Sequence, residues 1–215
     1  MEREKKIDTS GEPENSPGEI FVAGFVRNSF VDLPGKICSV VFLGGCNFDC
    51  HYCHNHKILG LDSNTIDFDE ILTQIREQIG FIDGVVISGG EPTVHPHLRE
   101  VIGKIRGLGL PVKLDTNGSN FEILRDLVDG GAVEFVAMDI KAPLPRYAEI
   151  AGVDVDVSEI KKSIDFLKSR AGRGGFDFLF RTTPTPELGK RDYDEILELV
   201  GGARWQKNHY VSVKR

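Results

Sequence analysis

Apolar residues recur along the chain in two alternating rhythms. Short runs dense in Val, Ile, Leu and Phe mark strands at Ile20–Val26, Lys36–Leu43, Gly84–Ser88, Pro111–Leu114, Val133–Ala137 and Phe176–Phe180. Between them, apolar positions three and four residues apart mark amphipathic helices. Phe68, Ile71, Leu72, Ile75 and Ile79 form one such stripe within Thr65–Ile79, and Leu98, Val101, Ile102, Ile105 and Leu108 form the next. Phe121, Leu124 and Val128 follow, then Ile160, Ile164 and Leu167 within Ser158–Ser169, then Tyr193, Ile196, Leu197 and Val200. Asp67 with Glu70 and Asp192 with Glu195 have capping-box spacing at two of these helix starts. Glycines close others: Gly107 and Gly109, then Gly130 and Gly131. His209–Val213 reads as a closing strand.

Repeated strand–helix units imply an α/β protein with a parallel sheet and right-handed crossovers. About six units are too few to close an eight-fold barrel. Between the first two runs, Phe25 to Lys36 reads as strand, loop and Pro34-Gly35 turn. Residues 1–18 are polar, with Gly11, Pro13, Pro17 and Gly18 and no apolar period, which predicts a disordered tail ahead of one domain spanning 19–215.

The polar exceptions to the rhythm are not scattered. Cys46, Cys50 and Cys53, then Gly89-Gly90-Glu91, Asp115-Thr116-Asn117, Asp139-Ile140-Lys141 and Arg181-Thr182-Thr183 each follow the C-terminal end of a predicted strand. In parallel α/β folds that edge binds ligands. Taken singly, each cluster also has a structural use: Thr-Asn-Gly forms turns, a lone Asp or Lys caps a strand end, and paired glycines permit a tight turn.

The cysteines carry the most specific chemistry. Three of them fall within eight residues, spaced C-x3-C-x2-C, so their thiolates can reach one metal centre. Such a loop suits an iron–sulfur cluster, or a zinc site completed by His51, His54 or His56. Three thiolates leave one iron of a four-iron cubane without a protein ligand, where a cofactor can bind. Cys38 alternates with Val40 and Phe42 along a predicted strand and reads as a core residue, not a fourth ligand.

C-x3-C-x2-C with Tyr52 before its last cysteine, followed by Ser88-Gly89-Gly90-Glu91-Pro92, resembles the radical S-adenosylmethionine (SAM) enzymes. The second signature has no role in the zinc reading. The resemblance implies a (β/α)6 partial barrel, which the count of units matches. It implies a [4Fe–4S] cluster on Cys46, Cys50 and Cys53 and SAM on its open iron. One-electron reduction then cleaves SAM to a 5′-deoxyadenosyl radical that abstracts hydrogen. It further implies SAM contacts from Ser88, the backbone at Gly89 and Gly90, the Glu91 carboxylate, the backbone beside Tyr52, and Asn117, Lys141 and Arg181.

Ser29 to Lys36, Cys50 to Asn55, Lys113 to Ser119 and Met138 to Pro143 narrow the likeness to the activating proteins of anaerobic ribonucleoside-triphosphate reductase. That likeness covers roughly Phe21 to Thr183 and weakens from Ala203 onward. It implies a glycyl-radical reductase as protein substrate, a low-potential electron donor, and a monovalent cation on Asp115, Thr116 and Asp139. A radical SAM enzyme acting on a small molecule, such as a modified-base precursor, is the alternative, and a non-enzymatic zinc-braced barrel is a third. An auxiliary cubane is not expected from four cysteines.

Composition changes this picture little. The 215 residues are 40% hydrophobic and 27% charged, ordinary for a soluble domain with a real core. A formal charge of −7 argues against general nucleic-acid binding and offers no attraction to an anionic membrane. No run approaches a membrane span or a secretory signal. A cytoplasmic setting poor in oxygen is expected.

Overall fold

A computed structural model describes residues 20–56 and 66–212. The tail expected over residues 1–18 lies outside them. Among the described residues nine strands and six α-helices alternate: β1 Phe21–Val22, β2 Gly24–Leu33, β3 Lys36–Leu43, β4 Ile66–Asp67, α1 Phe68–Arg76, β5 Gly84–Gly89, α2 Leu98–Arg106, β6 Val112–Thr116, α3 Phe121–Asp129, β7 Phe135–Asp139, α4 Tyr147–Ala151, α5 Val157–Arg170, β8 Asp177–Thr182, α6 Lys190–Val200 and β9 Trp205–Lys207.

Seven strands form one curled half-barrel sheet in the order β2-β3-β5-β6-β7-β8-β9. From β3 to β9 every neighbour is parallel, which gives the six parallel strands of the expected partial barrel. The departure is β2. It runs antiparallel to β3, joined by the Pro34-Gly35 turn, and its register shifts between Val26 and Ser29 and again before Leu33. These irregularities break the alternation of buried positions, which is why the segment reads as a loop in sequence. The sheet is therefore mixed, with a hairpin at one edge. β1 and β4 pair separately as a short two-stranded ribbon.

Other boundaries shift for local reasons. Asp67 caps α1 by accepting from the Asp69 amide at 2.9 Å, and the helix ends at Arg76, leaving Ile79 half exposed beyond it. In α6 the N-cap is Gly189. Asp192 lies inside the first turn, accepting from the Gly189 amide at 2.8 Å and from Arg146 Nη1 at 2.7 Å. The last strand is Trp205–Lys207, not His209–Val213: residues 209–212 are not strand, and Val213 lies outside the described residues. Helix α4 was not anticipated.

Strand alternation divides the sheet's two faces. Val41, Leu43, Val85, Ile87, Val112, Leu114, Val136, Met138 and Phe180 are buried in one large core with the apolar stripes of the helices. Their neighbours in sequence face the inside of the half-barrel. There Cys38, Val40 and Val86 form a small apolar patch with Leu33 of β2, with Phe42 packed against it. Toward β8, charged residues replace it.

Candidate functional site

The cysteine loop leaves β3 after Leu43 and is held on three sides. Toward β5, the Gly90 amide donates to the Leu43 carbonyl and the Glu91 amide to the Gly45 carbonyl, both at 2.9 Å. A Cβ on Gly89 would collide with the Leu43 carbonyl oxygen, and one on Gly90 with that of Gly45. These glycines are thus required by the approach of one loop to another, not only by room for a ligand. Asn55 Nδ2 donates to the Gly89 carbonyl at 3.0 Å and pins the far end of the loop to the same turn. Toward α4, the Asp49 amide donates to the Ala151 carbonyl at 2.9 Å, and Phe48 packs edge-on to Tyr147 with ring centroids 6.4 Å apart. Toward β6, Asn47 Oδ1 accepts from Asn117 Nδ2 at 2.9 Å and Asn47 Nδ2 donates to Ser119 Oγ at 2.7 Å.

Glu91 is placed differently from the sequence expectation. It is 1% exposed, and its side chain does not line the cavity between the strand ends. Oε1 accepts from the Thr93 amide at 3.1 Å, Thr93 Oγ1 at 2.5 Å and Thr116 Oγ1 at 2.7 Å, while Oε2 accepts from the Asn117 amide at 2.6 Å. Burial raises its pKa and these donors oppose the rise. Four donors on one carboxylate knit the β5 and β6 turns together. Thr116 Oγ1 is occupied in turn, since it also accepts from the Gly118 amide at 3.0 Å.

A row of alternating charge crosses β6, β7 and β8. Lys113 Nζ donates to Asp115 Oδ1 at 2.7 Å. Arg181 bridges the two carboxylates, with Nη1 3.5 Å from Asp115 Oδ1 and Nε 2.9 Å from Asp139 Oδ1. Lys141 Nζ closes the row on Asp139 Oδ2 at 3.1 Å. Ser88 Oγ donates to Asp115 Oδ2 at 3.0 Å. Although burial alone would raise it, the Asp139 carboxyl is held down at about 2 by Arg181 and Lys141. The Lys141 ammonium is correspondingly raised by Asp139, against the cost of burial.

The thiols and this row border one cavity of about 810 Å³. Its wall includes Cys46, Cys50, Cys53, Tyr52, Ser88, Gly89, Gly90, Asp115, Thr116, Asn117, Asp139, Lys141 and Arg181, every sequence-predicted site residue except Glu91. Sequence reasoning missed Lys113, Gln206, Asn208 and His209, which line it too. Lys113 sits inside an apolar run, where alternation with Val112 and Leu114 was the available signal. The last three arrive on and after β9, so the divergent C-terminal segment contributes to the cavity. A smaller cavity of about 360 Å³ lies at the opposite strand ends, lined by residues such as Pro111, Glu134 and Arg204.

The residues present fit the implied cluster and SAM. Three soft sulfur donors border a space within the usual range for bound cofactors, about 300–1,000 Å³. Burial pushes the Cys46 thiol up to about 11 and raises Cys50 as well, so metal binding would have to displace those protons. Among the described residues no three or more His, Cys, Asp or Glu side chains are gathered around a single-ion site. His51 Nε2 lies 3.2 Å from Glu187 Oε1, His56 Nδ1 hydrogen-bonds the Cys53 carbonyl at 3.2 Å, and His54 is on the cavity wall. No helix among the described residues is long and apolar enough to cross a membrane.

The profile of the Radical SAM superfamily matches residues 40–200. A Methanocaldococcus jannaschii protein provisionally named as a glycyl-radical enzyme activating enzyme is 34% identical over 181 residues, which covers 83% of this chain and 75% of that one. A Thermococcus kodakarensis protein provisionally named GTP 3′,8-cyclase is 30% identical over 112 residues, 51% of this chain and 36% of its own. In fold, the chain resembles Streptococcus suis SuiB bound to S-adenosylmethionine, with a TM-score of 0.59 and 15% identity over 82% of this chain and 39% of that longer one.

Proposed function

Because the chain belongs to the radical SAM superfamily, we propose that it is an activating enzyme that places a glycyl radical on a partner protein, an anaerobic ribonucleoside-triphosphate reductase. The observation that carries this reading is the convergence of three thiols and a cation-rich row of strand ends on one cavity. The choice of a protein partner follows the likeness to the Methanocaldococcus jannaschii protein over 83% of the chain, against 51% for the Thermococcus kodakarensis one.

In this reading Cys46, Cys50 and Cys53 hold a [4Fe–4S] cluster. With SAM bound and one electron from a low-potential donor, the cluster held by these thiolates would supply the radical chemistry that hydrogen abstraction from a glycine needs. The chain's own residues bind, orient and exclude. Lys141 and Arg181 offer cationic donors to the SAM carboxylate, and Asp139 fixes the direction of both. Asn117 and the backbone beside Tyr52 offer polar partners to the nucleoside. Ser88 orients Asp115. Gly89 and Gly90 set the cysteine loop against β5, and Glu91 acts as a positioning residue behind that turn instead of a direct contact. The half-barrel leaves the inner face open at one side, where a loop of another protein could enter. A cytoplasm poor in oxygen is the setting this chemistry requires.

The test combines reconstituted, reduced protein, SAM and the host's anaerobic ribonucleotide reductase under anaerobic conditions. The expected result is a glycyl-radical EPR signal on the reductase, with deuterium from the target glycine recovered in 5′-deoxyadenosine. A preparation that cleaves SAM, never radicalises the reductase and turns over a small metabolite many times would move the assignment to the small-molecule alternative.

A further inference from the structure

A monovalent cation on Asp115, Thr116 and Asp139 would meet a donor set already in use. Both oxygens of Asp115 are engaged, Oδ1 by Lys113 Nζ at 2.7 Å and Oδ2 by Ser88 Oγ at 3.0 Å. Both oxygens of Asp139 face cationic donors, Arg181 Nε at 2.9 Å and Lys141 Nζ at 3.1 Å. The Thr116 hydroxyl donates to Glu91 and accepts from the Gly118 amide. Charge argues the same way as geometry. Each of the two carboxylates already faces fixed cationic side chains, Lys113 and Arg181 at Asp115 and Arg181 and Lys141 at Asp139. An alkali ion added there would have to displace one of these cations from its oxygen, where water is scarce and Coulomb interactions are strong.

Lys113 is the unusual member of the row. It is 3% exposed, and besides Asp115 its ammonium donates to the Asp32 carbonyl at 2.7 Å. A lysine buried to this degree is uncommon unless paired. Its amine is a compact point charge with three donors, much as a small cation with oxygen ligands would be. Here those oxygens come from a carboxylate and a backbone carbonyl. The second is supplied by the β2–β3 hairpin, whose Ser29 Oγ donates to Asp32 Oδ2 at 2.5 Å and so fixes the carbonyl-bearing residue.

We propose that the Lys113 ammonium takes the place of a monovalent cation beside Asp115, making it a positioning residue and the cofactor site independent of free sodium or potassium. The inference rests on the reading that SAM occupies this cavity.

Two measurements test it. The first is ²³Na NMR line broadening by the protein, before and after iron–sulfide reconstitution. Wild type should give no bound-sodium contribution. Lys113→Met, which keeps an apolar stem and removes the charge, should gain one, and the Lys113→Met/Asp115→Asn pair should lose it again. Bound sodium in wild type overturns the proposal even if the variants fail to fold. Its absence from a folded Lys113→Met, judged by far-UV circular dichroism, overturns the role of Lys113. The second is SAM affinity of reconstituted protein in tetramethylammonium against sodium or potassium salts. Wild type should not distinguish them. Lys113→Met should bind SAM about tenfold more weakly in tetramethylammonium and recover in sodium or potassium. A wild type that needs either ion overturns the proposal. A chain that binds no SAM in any salt overturns the functional reading alone, and the sodium signal still decides the role of Lys113.

Discussion

The inner face of the half-barrel has two halves built on the same alternation, one mainly apolar and one carrying a row of charges. On β3 and β5 the inward positions are Cys38, Val40 and Val86, sealed by Leu33 of the hairpin. On β6 to β8 they include Lys113, Asp115, Asp139 and Arg181, paired across three strands, with Ala137 and Leu179 among them. The apolar half gains from leaving water and holds β3 firm where it delivers the cysteine loop. The charged half does not obviously stabilise the fold, because desolvating ions costs about as much as pairing them returns. What it provides is a fixed electrostatic surface under the cavity, already oriented before any ligand arrives. Packing and chemistry are thus separated by strand, within one face.

Cysteine replacement sharpens the comparison most. Cys46, Cys50 and Cys53 border the cavity, and any one of them changed to Ala should abolish SAM cleavage and deplete bound iron. Anaerobic analysis of reconstituted wild type should give about four irons and four sulfides per chain. Stoichiometric zinc, with no iron uptake on reconstitution, would make the loop a structural zinc site.

Glu91 is the next strongest lever, because it belongs to neither half and braces both turns. Glu91→Ala leaves two backbone amides and two hydroxyls without their acceptor. A loss of about 3–5 kcal/mol in urea unfolding is expected. Full stability with weakened SAM binding would instead return its carboxylate to the cavity.

What sequence could reveal follows the same division. The helices facing the large core announce themselves through their periodic stripes, and the parallel strands through apolar runs bounded by glycine and proline. Tyr147–Ala151 escaped because five residues are too few to display a period. Trp205–Lys207 escaped because a three-residue edge strand, half exposed, has no apolar run to show. In the site, the residue types at strand ends were legible but their directions were not. A strand-end carboxylate such as Glu91 reads the same whether it meets a ligand or a neighbouring turn. Lys113 resembles a surface lysine until the fold brings the Asp32 carbonyl, distant in sequence, against its ammonium.

The charged half should also show itself in acid. Asp139 is held at about 2, below its ordinary 3.8, by Arg181 and Lys141. A depressed carboxyl contributes stability that is present above the unfolded pKa and lost as pH falls through the folded one. The stability gap between wild type and Asp139→Asn should therefore be widest above about pH 4 and narrow by about 2 kcal/mol as pH falls to about 2. Urea unfolding at a series of pH values measures it. A gap that stays constant across that range would mean the row does not stabilise the ionised form.

The smallest effect belongs to the apolar half, and its smallness is the point. Cys38 is fully buried, and burial together with the Asp32 charge pushes its thiol up to about 11, so it stays neutral at working pH. It lies near the start of β3, opposite Gly84 of β5, whereas the cysteine loop leaves the other end of the strand. Cys38→Ala should cost about 1 kcal/mol, as for loss of one buried group of methyl size, and leave iron content and SAM cleavage unchanged. Cys38→Ser, whose hydroxyl keeps Ser29 as a hydrogen-bonding neighbour, should likewise leave iron content and SAM cleavage unchanged. Iron lost from a stably folded Cys38→Ala would make that thiol a ligand, and the two halves of the inner face could no longer be assigned separately to packing and to chemistry.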